Sequence, residues 1–135
     1  MRWFFILSGV CASYVAAVRV FAGFEGALPT LLSELSGTGL QGLVIVMWHV
    51  LSIVFGILAL GLFLSLRLPR AAASAIASIT AAVFGSACAA FLIVSYRDTG
   101  SLFAYYPALP LGITAILAAA AAFAASRQRH GTVGD

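Results

Sequence analysis

Residues 40–66 read LQGLVIVMWHVLSIVFGILALGLFLSL and contain no Asp, Glu, Lys or Arg. About 20 apolar residues are enough for a helix to cross the hydrocarbon core of a bilayer. Because that core holds no water, the backbone N–H and C=O groups of such a segment must bond to one another in a helix. The stretch therefore predicts a membrane-spanning helix, and it decides the class of fold.

Apolar stretches of similar length occur four times along the chain, at about residues 3–22, 40–66, 71–96 and 103–125. The link 67–70 (RLPR) is short enough to form only a tight helical hairpin, and residues 126–135 form a polar tail. Arg2 and the apolar run after it are also typical of a signal peptide, but we interpret them as an uncleaved first span. The sequence predicts a single all-α membrane domain, residues 1–135, of four antiparallel transmembrane helices.

Composition excludes most other classes of protein. Hydrophobic residues make up 63% of the 135-residue chain and charged residues 8%, against about 45–50% and about 25% in soluble domains. So few charges cannot cover a soluble surface, which excludes soluble enzymes, disordered regulators and disulfide-stapled secreted domains. All seven basic residues are Arg, which favours a bacterial origin, and no basic stripe indicates a nucleic-acid partner. The predicted partners are the lipid bilayer and, beyond it, a second copy or a larger membrane complex.

The distribution of arginine predicts the orientation of the chain, because cytoplasmic loops carry an excess of basic residues. Five arginines fall on one side of the four spans: Arg2, Arg67, Arg70, Arg127 and Arg129. Two fall on the other side, Arg19 and Arg97, accompanied by acidic residues. This distribution predicts a protein of the bacterial inner membrane with both termini in the cytoplasm and with residues 23–40 and 97–102 outside.

The first outer loop contains a further helical pattern. Pro29 suits the first turn of a helix, and four leucines then share one face: Leu28, Leu31, Leu32 and Leu35. This spacing predicts a short amphipathic helix lying at the outer membrane interface. Two interpretations stay open, an ordinary cap that packs on the bundle and a lid over a lateral opening.

Two ionisable residues lie inside the spans, Arg19 and His49, and such residues are the first candidates for a functional site. Arg19 lies about 24 Å from the cytoplasmic end of its helix and His49 about 25 Å from the same side. Each continues a row of small or polar residues, Ser8–Ala12–Ala16 before Arg19 and Ser52–Gly56–Ala59 after His49. Because membrane helices associate through small faces, we expect both side chains to point into the bundle and to approach each other.

This predicted cluster has a structural and a functional interpretation. In the first, Arg19 pairs with Glu25 and His49 bonds a neighbouring helix. In the second, the cluster binds an ion, a proton or a ligand head group, with Trp48 and Tyr106 as neighbouring aromatic residues that otherwise belong to the interfacial belt. A metal or haem site is not expected, since one intramembrane His is half of a bis-His site.

Cys11 and Cys88 are interpreted as inert packing residues, and no catalytic residue or cofactor is predicted.

Small residues also predict how the last two helices pack. One row on the third span reads Ala77, Ala81, Gly85 and Ala89, and one on the fourth reads Gly112, Ala115, Ala119 and Ala122. Such rows allow two helix backbones to approach closely. They serve contacts within the bundle and contacts between two copies equally well.

Three segments resemble a group of small uncharacterised bacterial four-span membrane proteins with a Trp-His motif in the second span. They are Arg19-Val-Phe-Ala-Gly23, the Glu-Gly-x-Leu-Pro-x-Leu-Leu loop that begins at Glu25, and Trp48-His49. The resemblance extends to about Leu62 and brings no established activity. It implies a His at the position that Arg19 holds here, so a paired-His metal or haem site does not carry over.

The function predicted from the sequence is a non-enzymatic accessory or scaffold protein of the membrane. The alternative is a small transporter or a protein that binds an ion or ligand through Arg19 and His49. A third class, a metal- or haem-linked membrane enzyme, is separated from these by an optical spectrum of the purified protein.

Overall fold

The computed structural model describes residues 2–25, 27–37, 39–102 and 107–127, except for the side chains of residues 22–25 and 27. Five helices follow one another: α1 (Arg2–Glu25), α2 (Ala27–Glu34), α3 (Gln41–Leu64), α4 (Arg70–Thr99) and α5 (Ala108–Arg127). All regular structure in the described residues is helical. All of these helices except α2 are long and apolar enough to cross a membrane. The prediction of an all-α protein with four membrane-spanning helices and one short extra helix is confirmed.

Proline and glycine mark the helix ends. Pro69 caps the start of α4 with an extended backbone (ψ 145°), which turns the chain back after α3. Gly100 ends α4 in the left-handed conformation (φ 72°) and donates its N–H to the Tyr96 carbonyl at 2.9 Å. Only glycine adopts this conformation without steric cost. Pro110 lies in the first turn of α5, where its missing N–H removes no helical bond.

Two helix ends differ from the sequence expectation. The third span was expected to end near residue 96, but α4 continues to Thr99, because no helix-breaking residue precedes Gly100. The fourth span was expected from residue 103, but the described helix α5 begins at Ala108. Residues 103–106 lie outside the described part of the chain, as does the predicted tail after residue 127.

The four long helices form a bundle in the spatial order α3, α1, α5, α4. α1 packs against both α3 and α5, and α4 packs most extensively against α5. α3 and α4 are neighbours along the chain but share few close backbone approaches. Stacked rings of Phe55 and Phe84, with centroids 4.7 Å apart, bridge them and close the bundle. We call the end that carries α2 and residues 99–102 the α2 end.

The core is built from one face of each helix. On α1 this face is the predicted row of small residues, with Ser8 and Ala12 fully buried. The facing surface of α3 is bulky instead, and Phe63 reaches Gly9, where an added Cβ would lie 2.9 Å from the ring Cζ. Large side chains of α3 thus pack against small ones of α1. The outer surface carries many exposed apolar side chains, as expected where lipid replaces water.

The predicted small-residue row of α4 faces α5 over only part of its length. Ala77 is fully buried, and a Cβ on Gly85 would lie 3.9 Å from the Ala115 Cβ, an ordinary contact distance. Ala89 is exposed, because a row at four-residue spacing turns about 40° around the helix with each step and so leaves the contact while Cys88 stays in it. Two polar bonds join the pair, Ser74 Oγ to the Ala122 carbonyl at 3.2 Å and Cys88 Sγ to the Ala108 carbonyl at 3.3 Å.

α2 lies at the end of the bundle and packs mainly against α1. Leu28 is its buried anchor, while Leu31 is 38% exposed. The side-chain amide of Gln41, the first residue of α3, donates to the Leu32 carbonyl at 2.7 Å. This bond attaches the C-terminal half of α2 to the start of α3.

Candidate functional site

Arg19 on α1 contacts Trp48 on α3 in two ways. The indole N–H of Trp48 donates to the Arg19 carbonyl at 3.1 Å, and the Arg19 guanidinium carbon lies 4.4 Å from the centroid of the indole ring. The second contact is a cation–π interaction. Ser52 lies one turn further along α3 and donates its hydroxyl to the Trp48 carbonyl at 2.9 Å.

The contact lies well inside the helices. Arg19 is six residues before the end of α1, which places it about 9 Å along the helix from that end. Trp48 is seven residues after the start of α3, about 10 Å along its helix. The two depths agree, and His49, which was predicted to lie level with Arg19, is the residue after Trp48.

The predicted meeting of Arg19 with His49 is wrong. The inward face of α3 carries Trp48, Ser52, Phe55, Ala59 and Leu62. His49 is one residue past Trp48, about 100° around the helix, and its side chain is exposed. The predicted row through His49 is right in part, because Ser52 and Ala59 are buried on the inward face whereas His49 is exposed. The inward face also includes the large side chains Phe55 and Leu62, both buried.

The guanidinium of Arg19 is only partly satisfied by the described residues. Its Nε is buried and has no hydrogen-bond partner among them. The guanidinium carbon lies over the Trp48 ring, and the N–H bonds of the group point outward in the guanidinium plane. A buried donor without an acceptor costs free energy, and because this Nε is buried, an acceptor reaches it only if the side chain shifts.

A cavity of about 280 Å³ lies beside Arg19 and Trp48. All four long helices contribute to its wall, and its described lining residues are Tyr14, Val15, Val18, Arg19, Trp48, Phe55, Phe91, Pro107, Pro110 and Leu111. The wall is almost entirely apolar, and Arg19 is the one formally charged side chain among these residues. An apolar cavity with a small number of placed polar groups is the usual form of a small-molecule site.

A second, more open hollow lies between α1 and α5 on the outside of the bundle. Its volume is about 520 Å³, and it is lined by Val10, Cys11, Tyr14, Leu109, Pro110 and Ile113. Tyr14 and Pro110 belong to both linings, so the hollow adjoins the cavity. We call it the α1/α5 groove. Its exposed apolar walls face the region that lipid would occupy.

Several residues of the predicted cluster cannot be placed. Glu25 is the last residue of α1, but its side chain lies outside the described structure, and Tyr106 lies outside the described residues altogether. Within the described residues, no group of three His, Cys, Asp or Glu side chains is close enough together to bind a metal ion. Cys11 and Cys88 are free and half-buried.

Sequence reasoning missed most of the cavity wall. Tyr14 and Val18 lie beside the small face of α1 rather than on it, and Phe91 was not distinguished from other apolar residues of α4. The one available signal was the pair of prolines at the start of α5, Pro107 and Pro110. Both prolines lie in the cavity wall, at the start of α5.

Comparisons with known proteins add no relative: no family model matches this chain, and no curated protein or solved structure matches it significantly. The geometry of the cavity is therefore the basis on which a function is proposed.

Proposed function

We propose that this protein is a non-enzymatic, multi-pass membrane protein that binds a small ligand with an apolar body inside the cavity beside Arg19 and Trp48. The observation that carries the proposal is the cavity itself, about 280 Å³ with an apolar wall that includes Arg19, whose buried Nε–H has no partner among the described residues. An apolar, partly open space with a few placed polar groups is the usual form of a small-molecule site.

The residues that line the cavity do not suit a bound cation or a proton-transfer site. A bound cation would be repelled by the guanidinium of Arg19, and the low-dielectric surroundings would strengthen that repulsion. Tyr14 and Arg19 are the ionisable side chains among the described lining residues, and the lining offers no carboxylate or imidazole for proton transfer. An apolar ligand held without chemical conversion fits these residues best.

Trp48 supplies a direct test, because the chain contains two tryptophans. Trp3→Phe leaves Trp48 as the sole fluorophore, and Trp3 is far from the site and 73% exposed. We expect brominated dodecanol, titrated into the purified protein in detergent, to quench Trp48 saturably, because bromine quenches on contact.

A matched pair of variants provides the control. Val18 lines the cavity and Val20 does not, yet both lie on α1 and their exposures are 39% and 40%. Val18→Phe is expected to fill the cavity and weaken saturable quenching, whereas Val20→Phe is expected to leave it unchanged. Equal, non-saturable quenching in all three proteins would contradict a ligand cavity.

We further propose that the protein resides in the bacterial inner membrane with both termini in the cytoplasm. The arginine distribution supports this orientation: Arg2, Arg67, Arg70 and Arg127 lie at the end opposite α2, whereas Arg19 and Arg97 lie toward the α2 end. The resemblance to small bacterial four-span proteins stays a prediction alongside it.

A second candidate function is an accessory subunit of a larger membrane assembly, and the exposure of His49 favours it. An imidazole facing hydrocarbon is costly, and a neighbouring chain would relieve that cost. Native mass spectrometry in mild detergent tests this role. His49→Leu is expected to shift an oligomer or complex toward the monomer, with His49→Gln retaining assembly through hydrogen bonding. A wild-type protein that is purely monomeric contradicts it.

A further inference from the structure

We infer that the ligand of this cavity is an amphiphile with an anionic head group, a carboxylate or a phosphate, and an alkyl chain that leaves the bundle through the α1/α5 groove. This inference rests on the proposed ligand-binding function and adds to it the chemical class of the ligand and its path.

The charge of the head group follows from Arg19. Its guanidinium is planar and always charged, and its donors match the oxygens of a carboxylate or phosphate in pairs. The guanidinium carbon lies over the indole ring of Trp48, 4.4 Å from its centroid, and this contact holds the group in the wall of the cavity. Its Nε is buried without a described partner, so a small shift of the side chain would give this donor an acceptor in a bound head group.

The orientation of the indole ring is itself determined by the fold. Its N–H is used by the Arg19 carbonyl at 3.1 Å, which ties the ring to the backbone of the residue whose side chain it supports. Arg19 and Trp48 therefore form a preorganised anion site that needs no large rearrangement, and preorganisation lowers the cost of binding.

The alkyl chain follows from the cavity volume and its continuation. About 280 Å³ lies at the lower end of the range for small-molecule sites, too little for a complete lipid. The adjoining groove offers about 520 Å³ more, along exposed apolar residues such as Val10, Leu109 and Ile113. Tyr14 and Pro110 line both spaces and lie between them, so the chain would pass from the cavity to the groove at these two side chains.

The location along the helices suits such a molecule. Arg19 lies about 9 Å below the end of α1, within reach of the head-group layer of one leaflet. A head group drawn to this depth leaves its chain directed along α1 and α5 toward the bilayer centre. A water-soluble polar ligand, by contrast, would leave most of its hydrogen-bonding groups against an apolar wall, at a high desolvation cost.

The test compares three brominated ligands that share one chain: dodecanol, dodecanoate and dodecyl phosphate. Each is titrated against the full-length Trp3→Phe protein in neutral detergent, with Trp48 quenching as the readout. We expect both anions, or one of them, to bind roughly 10- to 100-fold more tightly than the alcohol, the range of a charge-assisted hydrogen bond. Tighter binding of phosphate identifies a lipid head group, and tighter binding of carboxylate identifies a free fatty acid.

Variants of Arg19 assign the preference to its guanidinium. Arg19→Gln is expected to abolish the preference for anions while alcohol binding persists, and Arg19→Lys to retain part of it, since it keeps the charge but lacks the planar donors. If the alcohol binds saturably and the anions bind no more tightly, the anionic ligand is excluded while the cavity function stands. If none of the three binds saturably, both proposals fail.

A further variant tests whether Arg19 serves only to pair with Glu25. If Arg19→Gln and Glu25→Gln lower the melting temperature equally and neither changes the preference for anions, Arg19 is a structural residue and the inference is overturned. Val10→Trp, introduced into the Trp3→Phe protein with Trp48 kept in place, puts a second indole in the groove and tests the path. We expect bromine near the chain end to quench this indole in addition to Trp48, and an unchanged amount of quenched fluorescence relative to the Trp3→Phe protein would exclude the α1/α5 exit.

Discussion

At the scale of single residues, Trp48 organises the site. It bonds the backbone of Arg19, stacks on the guanidinium and lines the cavity. Its neighbour His49, the more obvious functional candidate in the sequence, is exposed and does not line the cavity. One step along a helix rotates a side chain by about 100°, which is enough to separate the surroundings of these two residues.

We predict that Trp48→Phe lowers the free energy of unfolding by about 0.5–1.5 kcal/mol, because it removes the hydrogen bond to the Arg19 carbonyl and keeps an aromatic ring. Trp3→Phe, at a site 73% exposed, is the matched control and should have little effect. Thermal unfolding in detergent measures both. Equal melting temperatures for the two variants would show that the indole N–H contributes nothing to the fold.

At the scale of elements, the helix pairs use different packing. α4 and α5 meet through small residues and two polar bonds to carbonyl groups. α1 and α3 meet by placing bulky α3 side chains, such as Phe63, against the small residues of α1, such as Gly9. The second arrangement tolerates less added volume at the small position, because an aromatic ring already fills the space above it.

We therefore predict that Gly9→Ala is less stable than Gly85→Ala by about 1 kcal/mol or less, the low end of the cost of overpacking, because the contact is with the tip of the Phe63 ring, which is 36% exposed and can shift. The added Cβ would lie 2.9 Å from the Phe63 ring in the first variant and 3.9 Å from Ala115 in the second. Both changes gain the same helix propensity, so the difference reports packing alone. In a Phe63→Ala background the difference should disappear, and its persistence would place the cost elsewhere.

The attachment of α2 gives a prediction at the same scale. Gln41→Ala removes the 2.7 Å bond to the Leu32 carbonyl, and we expect faster amide hydrogen exchange in α2 with little change in α4 or α5. Gln41→Glu serves as the control, since it keeps the length of the side chain and loses its amide donors. Unchanged exchange in both variants would show that Leu28 and the other contacts with α1 hold α2 by themselves.

At the scale of the whole molecule, neighbouring helices do not pack equally closely on every side of the bundle. α1 and α5 meet along their length but leave the α1/α5 groove, and α3 and α4 rely on the Phe55–Phe84 stack to close the other side. The cavity lies where these four helices meet near the α2 end. A cavity lined by all four long helices, with a groove on the outer surface beside it, is a property of the assembled bundle and of no single helix.

Orientation is also a property of the whole molecule, and reporter fusions test it. We predict that alkaline phosphatase fused after residue 135 is inactive and that green fluorescent protein fused there is fluorescent, because the arginine distribution places that end in the cytoplasm. A phosphatase fusion within the 97–102 connection should be active. The reverse pattern would invert the topology and place Arg19 in the cytoplasmic leaflet.

The sequence by itself determined the four spans, the short helix at Ala27–Glu34 and the depth of Arg19, because these depend on local hydrophobicity, proline and glycine positions and the constant rise of a helix. It also identified the small face of α1. Only the tertiary structure decided that Trp48 rather than His49 meets Arg19, and that Tyr14, Phe91 and the two prolines enclose a cavity. The physical reason is that a helix in lipid is apolar on every side, so hydrophobicity cannot distinguish a face that contacts protein from one that contacts lipid. That choice depends on how large and small side chains of different helices fit together.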